Sequence, residues 1–349
     1  MAKLTLVILF LTQAAFGLEF VPLGQIRWPT KTKIGNTRLG GLSAIVIEGQ
    51  KIYFVSDDRG TVNEPRFYEF DIKPDQKIWK LENGRAHFVE IKNKKEIVDM
   101  ESMVPFGTDF FIGSEGDNNK KPRVMPKIFQ VTKDGLWRAD LLLPDKVLPE
   151  ASGMQKKGVA NNFAFEDMAI SPDGETLWFT TERPLVQDVA NNDNISRFRF
   201  FEMKKEKGTF KAGHEFYFEG LEPISGEGIS LVSGWSDMLY RGEKTFWILE
   251  RSLRLLPTRS LSYDCRLAEI DFSGASQVEN ENTLPQAKNL TPAKVKKTYS
   301  LDFKGQSLGN CEGIVIGPPS GEYKQTLWVV TDNNFSKDDT ALYFFGVKE

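Results

Sequence analysis

Five times along this chain an apolar strand is followed by a turn and then by a second apolar strand that ends at an acidic residue. The pairs are 41–45 with 52–59, 100–103 with 110–115, 165–170 with 177–183, 235–239 with 246–251, and 311–315 with 327–333. Ser171-Pro172-Asp173-Gly174 joins the third pair as a turn with Asp-Gly at its tip. The closing acids Asp57, Glu115, Glu182, Glu250 and Asp332 lie 58, 67, 68 and 82 residues apart. A unit of that size holds four short strands, and such units bury their apolar faces by stacking on one another. Third and fourth strands follow, for example 66–72 and 86–91 in the first repeat. The pattern predicts an all-β fold, a single β-propeller of four-stranded blades. Five blades are counted, and a sixth would have to come from 251–310. The last repeat runs out after its third strand, and Leu18 to Ile26 supplies the missing one, closing the ring and removing open edges. The polar stretch 276–297 reads as a long surface loop.

Composition narrows the function classes. The 349 residues are 40% hydrophobic and 27% charged, which excludes a disordered or fibrous chain. With 45 basic against 48 acidic residues there is no general pull toward nucleic acid or an anionic membrane. Two histidines leave little room for histidine-based catalysis, and no Gly-x-Ser-x-Gly elbow or phosphate loop is present. Trp178, Trp247 and Trp328 recur at one point of the second strand and read as inter-blade core.

The N-terminus reads as a secretory signal. Lys3, the apolar run Leu4 to Leu11 and Ala15-Phe16-Gly17 have its charge, core and small-residue order, with cleavage after Gly17. The run is too short to span a bilayer comfortably. Residues 18–349 are then one periplasmic or secreted domain, expected to be a monomer. Cys265 and Cys311 are the only cysteines. An oxidising compartment permits one disulfide between them. Two buried free thiols are the alternative, and placement on non-adjacent strands leans that way.

Several of these segments resemble one known family. Leu39-Gly40-Gly41-Leu42-Ser43, Ser56-Asp57-Asp58-Arg59-Gly60, Ser114-Glu115-Gly116, Phe165 to Gly174, Thr181 to Leu185, Leu249 to Ser252, Asn310 to Gly313 and Thr331 to Phe335 look like the phytase-like domain family. It is also described as the esterase-like-activity-of-phytase group. The resemblance covers almost all of 18–349 in order. It implies a propeller and a phytase-like hydrolase. The acidic opening motif associated with calcium-dependent propeller phytases is not found here.

Antiparallel geometry adds the chemistry. The start of a first strand lies beside the end of the second, so Glu101 is expected near Glu115, Glu166 near Glu182, Asp237 near Glu250, and Glu312 near Asp332. First strands line a propeller's axis, so these acids, with Asp57 and Asp58, should crowd one mouth of the channel. Like charges so placed need compensation. Arg59, Arg183 and Arg251 directly follow acids, and a hard cation held by oxygens, Ca²⁺, would serve equally. The expectation is a calcium site from Asp57, Asp58, Glu101, Glu115, Glu312 and Asp332. Glu166, Glu182, Arg183, Glu250 and Arg251 are the catalytic candidates, acting on a small-molecule phosphoester or other anionic ligand. The alternative is a non-catalytic binding propeller for a cell-envelope ligand or protein partner, because propellers host many functions. A third reading has the acids only stapling blades together.

Overall fold

The computed structural model describes residues 17–75, 78–91, 98–190 and 195–348. The proposed signal core and the lysine run 92–95 lie outside these residues. Five four-stranded antiparallel sheets form, each meandering outward from an inner strand. The inner strands are Leu42–Glu48, Met100–Phe106, Met168–Ile170, Ile229–Gly242 and Asn310–Gly317. Each contacts the next, and the fifth contacts the first, so they enclose a central channel. We number the blades one to five in that order. The expectation of a β-propeller holds, with five blades and not six. The stretch 251–310 completes blade four with Leu261–Asp271 and Lys294–Leu301.

Blade five is closed as the sequence implied. Glu19–Trp28 pairs antiparallel with Thr340–Lys348, the third strand of that blade. Joining both ends of the chain in one sheet leaves no terminal blade with an unpaired partner edge.

Aromatic rings fill the spaces between blades. Trp178 of blade three stacks on Tyr240 of blade four at 4.7 Å, and Trp247 of blade four meets Phe20 of blade five edge-on at 5.5 Å. Trp328 of blade five lies 4.8 Å from Trp79 of blade one. All three recurring tryptophans are buried inter-blade core, as expected. Strand alternation puts one face of each sheet on each neighbour, so large flat side chains suit both faces.

Two expectations need correction. Cys265 and Cys311 form a disulfide, with Cα atoms 6.3 Å apart. They are not strand neighbours. Cys265 lies on the third strand of blade four and Cys311 on the inner strand of blade five. Face-to-face blade stacking makes them adjacent, which strand order within a sheet does not report. The stretch 276–297 is also no free loop. Val278 and Leu284 are buried, and Arg199 of blade three donates to the Val278 and Glu281 carbonyls at 3.0 and 2.9 Å. Arg199 is itself held by Asp188 and Glu215, each at 2.7 Å. The segment then enters the last strand of blade four at Lys294.

Candidate functional site: the acidic mouth

One structural device is repeated at the mouth of the channel. In blades one, two, four and five the inner strand carries a register irregularity one residue wide, at Ser43, Glu101, Ser236 and Glu312. In blade three Glu166 stands at the equivalent place, just before the regular ladder begins at Met168. A bulge re-aims the extra side chain. Ser43, Glu101, Glu166 and Glu312 all line a cavity of about 260 Å³, together with Asp57, Arg59, Asp99, Asn162, Arg251 and Asn310.

The second strands supply a further ring of side chains. Backbone pairing of Asp57 with Gly41, Glu115 with Asp99, Glu182 with Ala164, Arg251 with Gly234 and Asp332 with Asn310 makes these five positions equivalent. In blade four the place of the closing acid is therefore held by Arg251. Glu250 is one residue earlier and so on the opposite sheet face. There it accepts from Arg266 Nε at 2.7 Å and Ser233 Oγ at 2.8 Å. The expected pairing of Asp237 with Glu250 does not form, because Asp237 sits opposite Leu249.

Arg251 is the hub of the mouth. Its Nη2 reaches Glu166 Oε1 at 3.1 Å and Glu182 Oε1 at 3.4 Å, and its Nη1 meets Glu312. Burial works against its charge, but Glu166, Glu182 and Glu101 outweigh that and keep the guanidinium firmly protonated. Glu166 is pushed well above the carboxylate range, first by burial, with Arg251 opposing.

Across the cavity lies a second group. One ligand oxygen each from Asp99, Glu101 and Glu115 falls within 4.8 Å of the others. Arg59 ion-pairs with Asp99. Glu115 accepts the Ala164 N–H at 2.5 Å through Oε1, while its buried Oε2 has no hydrogen-bond partner among the described residues. Burial and the neighbouring Asp99 push the Glu115 carboxyl up to about 8. Burial, then Asp332 and Asp99, push Asp57 up to about 8 as well. Glu101 is raised well above its ordinary value by burial and by Asp99, Asp57 and Glu115.

The remaining candidates are placed elsewhere. Asp58 accepts the amides of Thr61, Val62 and Asn63 and pairs with buried Arg66 at 2.8 Å, so it shapes a loop. Arg183 stacks its guanidinium 4.1 Å over the Phe163 ring. Asp332 accepts from Leu42 N at 3.0 Å and Asn334 N at 2.6 Å, tying blade five to blade one. Asp237 likewise accepts from Ile314 N at 2.7 Å, tying blade four to blade five. Two acids escaped the sequence reading. Asp99 is one pairing row beyond the recognised strand start, where the other blades have Gly41, Ala164, Gly234 and Asn310. Asp167 follows Glu166 and is fully buried, with neither oxygen hydrogen-bonded among the described residues. Both histidines lie outside the cavity, His87 against Glu69 and His214 against Glu279.

Residues 37–335 match the family model described as Phytase-like, esterase-like activity of phytase. The chain belongs to the phytase-like family. No curated protein sequence gives a significant match. Among solved structures, the native arabinanase Arb43A of Bacillus subtilis is similar with a TM-score of 0.40 and 12% identity. That match covers 89% of this chain and 94% of the arabinanase. No helix among the described residues of the phytase-like chain is long and apolar enough to cross a membrane.

Proposed function

We propose that this phytase-like propeller is a cation-assisted ester hydrolase, acting at the acidic mouth on a phosphoester or related anionic ester. The observation that carries this reading is the trio Asp99, Glu101 and Glu115, of which Asp99 and Glu101 line one cavity with Arg59 and Arg251. All-carboxylate donors suit a hard cation such as Ca²⁺, and the orphaned Glu115 Oε2 is a buried acceptor waiting for one. A bound cation would polarise the ester oxygen and neutralise charge developing on it. Arg251 and Arg59 would orient the anionic group from either side of the cavity. Glu182 and Glu312 hold Arg251 in place. Glu166, whose carboxyl burial pushes upward while Arg251 opposes, is the candidate to give a proton to the leaving oxygen. Without a cation the mouth repels an anionic ligand, so binding should depend on metal absolutely.

The same family membership, the signal-like N-terminus and the disulfide support an exported protein, periplasmic or secreted. A second reading, a binding propeller without turnover, is favoured by the engagement of Arg251 with three carboxylates. Thermal melts with Ca²⁺ or a chelator separate the outcomes, followed by p-nitrophenyl phosphate hydrolysis. At a hundredfold excess over Kd a bound ion adds about 2.7 kcal/mol, or ~4 °C for a chain this long. The shift should be present in the native protein and absent in Glu115→Gln. A melt indifferent to Ca²⁺, or turnover that survives chelation, would overturn the metal role. A calcium shift with calcium-dependent ligand binding but no turnover would establish the binding reading.

A further inference from the structure

Blade four differs from the others beside the mouth. Its first three strands, Ile229–Gly242, Thr245–Leu255 and Leu261–Asp271, run 14, 11 and 11 residues. The corresponding first two strands of blade two run 7 and 6. The excess lies beyond Arg251 and forms a three-stranded flap standing over the cavity. Its rows pair Val232 with Leu253 with Tyr263, and Ile229 with Leu255 with Leu261.

The flap's polarity is inverted. A sheet with one wet face ordinarily buries its apolar side and presents its polar side to water. Here two polar side chains of the other face are covered, Ser252 at 0% and Arg254 at 4% exposed, while Ser230 at its edge is open. Arg254 donates to the Ile224 carbonyl at 3.1 Å and to Asp264 at 3.3 Å, and Ser230 meets Ser252 at 3.1 Å. The face shared with Arg251 is apolar, and its outer row lies open, with Ile229 67% and Leu261 60% exposed. Clustered apolar exposure of this kind marks a recognition surface. It is also continuous with the site, because Val232, Leu253 and Tyr263 line the same cavity as Glu101, Glu166 and Arg251.

We propose that this face receives the apolar group of the ligand whose polar end enters the mouth. The substrate class is then an amphipathic ester, an aryl or alkyl phosphomonoester for instance, and not an all-polar polyanion. The placement of the polar end rests on the function proposed above. The placement of the apolar group rests on the flap alone.

The test compares two ligands of equal charge, 1-naphthyl phosphate and glycerol phosphate, with neutral 1-naphthyl methyl ether as a third. Affinities are measured by calorimetry with Ca²⁺ present or chelated, on the native protein and on Ile229→Ser/Leu261→Ser. Both substituted side chains are exposed, so the core is not disturbed. The native protein should prefer the naphthyl ester at least about tenfold, and the variant should retain less than about threefold preference. Equal affinity for both esters in the native protein, or a preference retained in the variant, overturns the proposal. Calcium-dependent binding of both esters without preference removes the flap role and leaves the mouth. Flap-dependent binding of the neutral ether, with no calcium-dependent binding of either ester, removes the mouth reading and leaves the flap. No binding of any ligand overturns both. A dimer that dissociates in the variant and competes with naphthyl phosphate would assign the face to a second copy and overturn the proposal.

Discussion

Replacing Arg251 by methionine tests the central electrostatic claim about the mouth. The substitution keeps the side-chain bulk and removes the one cation that Glu166, Glu182 and Glu312 share. Breaking a buried ion pair by removing one partner costs about 3–5 kcal/mol, since the abandoned charge stays buried. Unfolding entropy of ~2.1 cal/mol/K per residue gives about 0.7 kcal/mol/K for this chain, so the midpoint should fall by ~4–7 °C at pH 8 in chelator. The sign of the pH dependence follows from Glu166. Burial already raises its folded-state pKa, with Arg251 opposing. Without Arg251 that value rises further, so the folded variant takes up a proton that the unfolded chain releases. The variant's stability therefore falls more steeply as pH rises, and its deficit should shrink toward pH 5. Adding Glu166→Gln to Arg251→Met removes one orphaned charge and should recover part of the loss. Calorimetric melts of the native, single and double variants from pH 5 to 8 measure all of this. A single variant melting within about 1 °C of the native protein at pH 8, or losing equally at pH 5, would refute the hub role.

Other consequences are as direct. Replacing Cys265 and Cys311 by serine opens a closed loop with a separation of 46 residues, which the chain-entropy account values at about 4 kcal/mol. Reductant should lower the native melting midpoint and leave that of the double variant unchanged. Asp167→Asn should stabilise the protein by a few degrees near neutral pH. Burial raises the folded-state pKa of Asp167 well above its ordinary value, so the native protein loses stability as pH rises through that interval. The gain should therefore vanish near pH 4, and a gain independent of pH would contradict it. Asp58→Ala should cost about 3–5 kcal/mol in a melt, because it leaves Arg66 buried and unpaired. It should leave the size of the calcium shift intact, and loss of that shift would return Asp58 to the metal site.

The candidate site was legible to the extent that it follows strand alternation. Glu101 beside Glu115 and Glu166 beside Glu182 come from antiparallel pairing alone, and both pairs meet at the mouth. Asp58 and Arg183 were misplaced because adjacency in sequence says nothing about which way a loop side chain turns. Asp99 was missed because the repeat pattern is apolar, and this acid stands one row before the apolar run begins. The apolar flap was not read at all. Ile229, Leu253, Leu255 and Leu261 lie outside the recognised strand pair 235–239 and 246–251, so the repeat pattern assigned them no face.

Local regularities decided the blades. Period-two alternation, turn residues and the closing acids require only neighbours in sequence, so four-stranded repeats and the N-terminal closing strand could be read directly. Direction needed the ring. A single-residue bulge and the one-position offset of blade four determine that Arg251, not Glu250, enters the mouth, and side-chain direction in a strand reverses with each such step. Contacts between blades needed it too. The disulfide and the Asp332 and Asp237 staples join residues on different blades, and only the stacking of blades around the ring brings those surfaces together.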